Sequence, residues 1–310
     1  MAFEIGIGPN NRKSVYFDAT VADGVACFSV YNHMLIPAHF GSPHAEYDSL
    51  MNGVTMWDVA AQRQVEVSGP DAARLIQYLT TRDIGTSKIG QGRYVPICNH
   101  QGQLINDPVL LRLAADRFWL SIADSDIELW ASAIAAERKW DVQVIEPDVS
   151  PLAIQGPLAK ELVADLFGDW VKELTYFGFK QTELQGIPLV LARSGWSKQG
   201  GYELYLQDGA RGVELWNIVK SKGAAFVPAR RTIWSELKAG WFLMEPMGAC
   251  KRTPVIRSKY LWASWSILTK QMTSSGRQPF RKSRQKARSA GVLALLSLAL
   301  RSLPASILWT

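Results

Sequence analysis

The sequence has few cysteines and no apolar run long enough to cross a bilayer. Cys27, Cys98 and Cys250 are its only cysteines, they lie far apart, and no two stand at the spacing of metal ligands. This argues against a disulfide framework and a zinc site. The longest apolar run, residues 290–300, is about half of what a membrane span needs. The first residues also lack the basic and apolar segments of a signal peptide. We therefore expect a cytoplasmic protein with no membrane partner.

Charge is distributed unevenly along the chain. The whole sequence carries 34 Lys and Arg against 28 Asp and Glu, a formal net charge of +6. From Arg230 onward there are 15 basic and 2 acidic residues, which leaves 19 basic and 26 acidic residues before that point. The tail includes a basic, serine-rich stretch at 274–289 whose composition predicts disorder. A tail of this kind binds nucleic acid nonspecifically, and we expect no specific nucleic-acid partner.

Strands and helices alternate through the acidic body. Two strand–turn–helix units begin with nearly the same letters, VSGPDAA at 67–73 and IQGPLAK at 154–160, and in each the Gly-Pro pair predicts a turn and a helix start. A polar, glycine-rich loop is predicted at 194–201. Strands are predicted at 64–67, 109–113, 117–122, 152–154, 188–193 and 202–206, and helices at 72–79, 125–137, 158–166 and 213–219. The strands at 109–113 and 117–122, joined by the turn at 114–116, are predicted to form a hairpin.

Several phrases together carry a family resemblance. They are YNHM at 31–34, WDVA at 57–60, NDP at 106–108, SIADSD at 121–126 and ARSGWSKQGGYELY at 192–205. In order and spacing they resemble the tetrahydrofolate-dependent methyltransferases of the glycine-cleavage T-protein superfamily, and within it the dimethylsulfoniopropionate demethylases. The resemblance covers residues 1–226. It implies an α+β fold of two interleaved antiparallel-sheet domains flanked by helices over residues 1–228, with oligomeric state left open.

The resemblance also implies a flat pterin site along residues 194–205. There Glu203 is expected to accept hydrogen bonds from the ring nitrogens and the amino group of tetrahydrofolate, since one carboxylate matches two adjacent N–H donors. The aromatic walls on the cofactor side are expected from Tyr205, Trp196 and Tyr94. A methylated sulfonium is a cation without N–H donors, so ring faces attract it where hydrogen bonds cannot. Trp170 and Tyr31 are the rings expected to line that substrate pocket.

The reaction implied is methyl transfer from dimethylsulfoniopropionate to N5 of tetrahydrofolate, which yields methylthiopropionate and 5-methyltetrahydrofolate. Because the leaving thioether is neutral, the site mainly has to hold the reactants in line. Asp107 corresponds to the acidic residue that the family places near N5, and we expect it to orient N5 or to take its proton. Two alternatives stay open: an aminomethyltransferase of glycine cleavage, and an inactive fragment that binds folate. The Asn106–Asp107 pair, where T-proteins have Asp-Asp, argues against the first.

Each candidate also has a purely structural interpretation. Glu203 could be an exposed strand residue, Trp196 and Trp170 could be ordinary half-buried tryptophans, and Asp107 before Pro108 could cap a turn. For other polar residues the structural interpretation is favoured. Asp124 and Asp126 are predicted to cap the helix that follows. The four histidines, at 33, 39, 44 and 100, have no cysteine or carboxylate partners, so no metal site is predicted.

The resemblance stops after residue 226, where the family continues with a helix and a barrel domain. Read one base out of frame, the codons for residues 231–270 can encode phrases that the family uses there, such as Glu-Arg-Ile-Glu-Ala-Gly and Asn-Pro-Phe-Glu. We therefore predict a one-base frameshift near 226–230, a non-native basic tail at 229–310 that folds poorly, and a missing C-terminal barrel domain.

Overall fold

The computed structural model describes residues 8–122, 125–223 and 225–226. Short 3-10 helices occupy Asp169–Glu173 and Gly209–Arg211. None of the helices in these ranges is long and apolar enough to cross a membrane. The α-helices are α1 (Phe17–Ala22), α2 (Pro43–Asn52), α3 (Ala72–Leu79), α4 (Ile127–Arg138), α5 (Ala159–Phe167) and α6 (Gly212–Ser221). The strands are β1 (Arg12–Lys13), β2 (Cys27–Tyr31), β3 (Met34–His39), β4 (Thr55–Asp58), β5 (Gln64–Ser68), β6 (Gly92–Tyr94), β7 (Ile97–Cys98), β8 (Leu104–Asn106), β9 (Val109–Arg112), β10 (Arg117–Ser121), β11 (Gln143–Ile145), β12 (Ser150–Gln155), β13 (Phe179–Leu184), β14 (Ile187–Ala192), β15 (Gly201–Leu206) and β16 (Ala225–Phe226).

A five-stranded antiparallel sheet, ordered β11-β5-β10-β9-β6, forms the first half of the body. The predicted hairpin of β9 and β10 is confirmed, and it pairs Ser121 with Val109 at its open end. Successive residues of a strand face opposite sides of a sheet. One face of this sheet, which includes Val65, Val67 and Phe118, therefore packs against the apolar sides of α3 and α4.

The second sheet has six strands in the order β13-β14-β15-β12-β4-β16. All pairs are antiparallel except β16 with β4. Its outer face, with Leu152, Ile154 and Leu204, packs on α5 and α6, where Trp216 is fully buried. Strand β4 precedes the whole five-stranded sheet in sequence and yet lies inside the six-stranded one. The two sheets are therefore interleaved along the chain, as predicted.

The inner faces of the two sheets meet in a third apolar cluster. Leu111 and Trp119 of the five-stranded sheet pack there against Val190 and Tyr205 of the six-stranded sheet. The ring centroids of Trp119 and Tyr205 are 6.2 Å apart. Burying side chains of this size contributes about 1.5 to 3 kcal/mol each. The described body is thus layered helix, sheet, sheet, helix, which confirms the predicted α+β class.

The two Gly-Pro units adopt the same turn. Gly69 has φ +122° and Gly156 has φ +124°, a region that residues with a Cβ rarely adopt. A Cβ at Gly69 would lie 2.8 Å from the carbonyl oxygen of Asp141, and one at Gly156 would collide with the carbonyl of Gly53. Each turn therefore needs glycine both for its dihedral angle and for the close approach of another backbone segment.

Some elements and contacts of the structure differ from the sequence predictions. The small sheet β1-β3-β2, which begins the body, was not predicted. Helix α4 begins at Ile127, and Asp126 occupies its N-cap position without a side-chain capping bond. The predicted N-cap position of Asp126 is thus confirmed, but its side chain does not make the expected capping bond. Asp124 and the predicted tail at 229–310 lie outside the described residues.

Candidate functional site

A cavity of about 320 Å³ opens between the two sheets. Its lining combines two carboxylates with many aromatic rings, and no basic side chain belongs to it among the residues that the structure describes. Six of the seven residues predicted for the site line it: Asp107, Glu203, Tyr205, Trp196, Tyr94 and Tyr31. The remaining lining residues are Ser29, Val30, Ile36, Pro37, Ala38, Trp57, Val59, Ala61, Gln62, Val109, Ser121, Ile122, Tyr176, Phe177, Ser194 and Gly195.

Glu203 presents a buried carboxylate to this cavity. Its side chain is only 7% exposed, so it is not the exposed strand residue that was the alternative. The hydroxyl of Ser194 and that of Tyr205, the latter at 3.1 Å, both donate to Oε2. No described residue donates to Oε1. Burial raises the pKa of the Glu203 carboxyl, and the two donated hydrogen bonds oppose that rise.

Strand alternation and one buried glutamine bring Glu203 and Ser194 together. Tyr202 and Leu204 point into the core beneath β15, so Glu203 and Tyr205 point the other way, into the cavity. The glycine-rich loop 194–201 folds around Gln155. The Gln155 amide donates to the Ser194 carbonyl at 3.3 Å and accepts from the Ser197 hydroxyl at 2.7 Å. These bonds hold the start of the loop beside Glu203.

Asp107 lies at the wall of the same cavity. The Tyr94 hydroxyl donates to Asp107 Oδ2 at 2.7 Å. Its neighbour Asn106 is buried and donates to the Ser125 hydroxyl at 2.8 Å. The carboxylate of Asp107 is therefore bonded to a tyrosine of the cavity. A residue that only caps a turn would not need this bond.

Aromatic rings surround the space between the two carboxylates. Trp57, which the sequence did not single out, is fixed by its indole N–H, which donates to the Thr55 hydroxyl at 2.7 Å. Tyr176 and Phe177 add a ring pair 4.4 Å apart, and Tyr176 is 62% exposed at the rim. Ring faces in this arrangement can hold a flat heterocycle or a small cation.

Trp170 does not belong to the cavity, contrary to the prediction that it lines the substrate pocket. It lies in the 3-10 helix after α5, and its indole N–H donates to the Phe167 carbonyl at 2.8 Å. Its ring packs against the core under the outer face of the six-stranded sheet, and the Lys180 ammonium lies 4.6 Å from its centroid. The cavity is on the opposite face of that sheet, and the contacts of Trp170 match its alternative interpretation as an ordinary half-buried tryptophan.

Asp126, predicted as a helix cap, instead joins a charge network beside the site. The buried guanidinium of Arg63 donates to Asp126 at 3.1 Å and to Glu146 at 3.0 Å. Arg63 also donates to Asn32, whose amide donates to the Ala61 carbonyl. This network pins the β2–β3 hairpin to the body. No cluster of three metal-ligating side chains occurs in the described ranges.

Several site residues were missed at the sequence level. Trp57 and Ser121 lie within two of the family-like phrases, so a signal for them was present. Tyr176 and Phe177 lie in a segment without any such phrase, before β13. Only the fold brings that segment to the rim.

Comparison with known proteins gives the family. The model of the GCVT N-terminal domain matches residues 16–229. The chain is 46% identical over 213 residues to dimethylsulfoniopropionate demethylase DmdA of Ruegeria pomeroyi, covering 69% of this chain and 58% of that protein. It is 30% identical over 194 residues to an aminomethyltransferase of Bacillus mycoides, covering 61% and 52%. The chain thus spans somewhat more than half the length of these curated relatives.

A solved structure shows the same fold. The glycine cleavage system aminomethyltransferase T of Bartonella henselae superposes with a TM-score of 0.59 at 24% identity, over 70% of this chain and 59% of that one. At this identity the likeness concerns the fold alone.

Proposed function

The chain belongs to the GCVT N-terminal domain family, and from this premise we propose that it transfers a methyl group from dimethylsulfoniopropionate to tetrahydrofolate. The products would be methylthiopropionate and 5-methyltetrahydrofolate. The similarity to a dimethylsulfoniopropionate demethylase at 46% identity supports this choice of donor. The small number of cysteines and their wide separation in the sequence fit a reducing, cytoplasmic setting. We assign the activity to residues 1–228.

The observation that carries the proposal is the free oxygen of a buried carboxylate in an aromatic cavity. Glu203 Oε2 already accepts two hydroxyl hydrogens, whereas Oε1 has no donor among the described residues. A pterin edge offers adjacent N–H donors of the kind that a carboxylate binds. The enclosing rings and the volume of about 320 Å³ also suit a flat heterocycle. These residues therefore fit tetrahydrofolate.

The residues of the chain then divide the work. Glu203 would bind the pterin edge, while Trp196, Tyr205 and Tyr94 would restrict the position of the ring. Tetrahydrofolate, when bound, supplies N5 as the nucleophile that accepts the methyl group. Because the leaving group is a neutral thioether, positioning at near-attack distance contributes more than acid catalysis.

The two carboxylates also favour a cationic methyl donor. Asp107 and Glu203 make the cavity acidic, and Tyr31 and Trp57 add ring faces that attract a sulfonium. Asp107, held by Tyr94, would orient N5 and accept its proton after transfer. The aminomethyltransferase alternative has a relative at 30% identity in its favour. The Asp-Asp pair of the T-proteins is absent here, because residue 106 is Asn, and its amide donates to the Ser125 hydroxyl.

One assay tests the proposal. The purified full chain is incubated with tetrahydrofolate and dimethylsulfoniopropionate, and methylthiopropionate and 5-methyltetrahydrofolate are quantified by mass spectrometry. We expect both products in equal amounts. Glu203→Gln should reduce kcat/KM about a hundredfold, since it replaces a charged acceptor by an amide.

Matched variants locate the effect. Trp196→Phe should raise KM about tenfold, whereas Trp170→Phe, a tryptophan outside the cavity, should leave KM unchanged. Quenching of tryptophan fluorescence by tetrahydrofolate without any product would identify the inactive, folate-binding alternative. Turnover with the aminomethyl donor of glycine cleavage but not with dimethylsulfoniopropionate would replace our assignment.

A further inference from the structure

We propose that Arg63 is a positioning residue that holds two walls of the cavity at once, the wall that carries Tyr31 and the wall that carries Asp107. Arg63 does not itself line the cavity, so it acts through the residues that it binds. The consequence for the methyl donor rests on the proposed function, whereas the positions of the two walls are a property of the folded chain.

Arg63 is a buried arginine with hydrogen bonds to three separate segments of the chain. Its Nη1 donates to Glu146, which follows β11, at 3.0 Å. Its Nη2 donates to Asn32 Oδ1, in the turn between β2 and β3, at 3.2 Å, and to the Ser125 carbonyl, before α4, at 3.4 Å. A guanidinium presents its N–H groups in a rigid planar fork. Its plane therefore sets the positions of these segments relative to one another.

The first arm of Arg63 ends on the turn of the β2–β3 hairpin. Asn32 is 2% exposed, and its own amide donates to the Ala61 carbonyl at 2.8 Å, so that both ends of its amide group are bonded. Tyr31 directly precedes this turn, on a strand that forms the edge of its three-stranded sheet. Because an edge strand is paired on one side only, the position of the Tyr31 ring in the cavity depends on how the turn is held.

The second arm reaches the other wall through Ser125. The Ser125 carbonyl accepts from Arg63, and the Ser125 hydroxyl accepts from the amide of the buried Asn106 at 2.8 Å. Asn106 ends β8, and the next residue, Asp107, accepts from the Tyr94 hydroxyl inside the cavity. A shift of Ser125 would thus be passed to Asp107 through a single side chain.

Charge pairing alone does not account for the contacts of Arg63. The side chains of its two carboxylate partners, Asp126 and Glu146, are 56% and 27% exposed, so water solvates both in part. Ion pairs with exposed partners contribute little to stability, and burying the guanidinium carries a desolvation cost. Two of its acceptors, Asn32 Oδ1 and the Ser125 carbonyl, carry no charge. These contacts fit a role in geometry.

The test uses the full chain with Arg63→Met, Arg63→Lys and a matched control, Arg211→Met. Arg211 also bonds to a hairpin turn, since its guanidinium donates to the carbonyls of Gly186 and Gln185. No residue of that hairpin, 179–192, lines the cavity. The control therefore removes an arginine that holds a turn without touching either cavity wall.

Each arm also has its own kinetic variant. Asn32→Gly removes the side chain of the first arm, and glycine accepts the positive φ of 49° at this turn. It should raise KM for dimethylsulfoniopropionate about tenfold and leave kcat nearly unchanged, since the Tyr31 ring only binds the donor. Ser125→Ala removes the hydroxyl that holds Asn106, and should lower kcat about fivefold with little change in KM, because Asp107 acts on N5.

Arg63→Met should show both kinetic defects. Arg63→Lys should keep most of them, because a single ammonium preserves the charge but cannot reproduce the fork. Amide hydrogen exchange over residues 27–39, followed by mass spectrometry, should be about tenfold faster in both Arg63 variants, since the turn loses its polar tie. Arg211→Met should show neither the kinetic defects nor faster exchange in that segment.

Wild-type KM and kcat in Arg63→Met would overturn the proposal, and so would full rescue by Arg63→Lys, which would assign the role to charge. If Arg63→Met does not fold, Asn32→Gly and Ser125→Ala carry the comparison, and unchanged kinetics in both would overturn it. If the wild type shows no turnover, faster exchange at 27–39 in the Arg63 variants alone would sustain the role of Arg63 and remove the proposed function. Turnover with equal exchange in all these chains would do the opposite.

Discussion

At the residue scale, strand alternation decided which predicted side chains reach the site. Glu203 and Tyr205 share a strand face, so recognising the strand at 202–206 was enough to bring them together. Trp170 does not reach the cavity because its 3-10 helix packs on the outer face of the six-stranded sheet. The periodicity of a sequence does not indicate which face of a sheet a helix covers. The Asp126 carboxylate makes no capping bond because it binds the buried guanidinium of Arg63, a residue far away in the sequence.

Asp58 offers a second test at this scale, away from the cavity. It is 2% exposed at the end of β4, and its carboxylate accepts from the Ser14 hydroxyl at 2.5 Å and the Ala60 amide at 3.1 Å. Burial raises the pKa of Asp58 to about 6, although these two hydrogen bonds lower it. Between its unfolded pKa near 4 and about 6, the native state holds a proton that the unfolded state has lost.

Stability must therefore fall as pH rises through that window. Relative to Asp58→Asn, the free energy of unfolding of the wild type should decline by about 2 kcal/mol between pH 4 and pH 7, most of it by pH 6.5. Urea denaturation at half-unit pH steps measures this difference. Asp48→Asn, on the exposed side of α2, is the control and should run parallel to the wild type. A constant gap between Asp58→Asn and the wild type would contradict the raised pKa.

At the element scale, the repeated Gly-Pro turns fix where two helices start. We expect Gly156→Ala to lower the free energy of unfolding by about 2 to 4 kcal/mol, because a Cβ meets the Gly53 carbonyl at an unfavourable φ. Gly102→Ala is the matched control: its φ is +76°, and nothing lies within 4 Å of an added Cβ. It should cost about 1 kcal/mol. Equal losses in thermal or urea unfolding would show that crowding plays no part.

The elements missed from sequence share a physical cause. Strands β2 and β3 are joined through Asn32 and His33, both at positive φ (49° and 62°), without any glycine. Hairpins with two-residue loops favour such angles, and Asn tolerates them, but His gives no turn signal. The ladder pairs and the Asn32 bond to Ala61 stabilise the turn, and both are tertiary or cross-strand contacts. The hairpins and helices with strong local signals were predicted to within one or two residues.

At the scale of the whole molecule, the frameshift that would explain the tail remains a proposal. The match to the N-terminal domain model ends at residue 229, and the change of reading frame near 226–230 stays a prediction. We expect the coding DNA to show, one base out of frame, codons for the family-like phrases after this point. Sequencing that DNA, with mass spectrometry of the expressed chain, provides the measurement. If the intact frame translates to residues 229–310 and no shifted frame yields family-like phrases, the frameshift is wrong.

The position of the cavity between the two sheets links ligand binding to the thermal stability of the chain. A ligand in this cavity contacts strands of both sheets. It therefore binds the folded chain in preference to the unfolded one. At a ligand concentration of a hundred times the dissociation constant, the free energy of unfolding would rise by about 2.7 kcal/mol. The true occupant could thus be found by warming the protein with candidate compounds, before any reaction is measured.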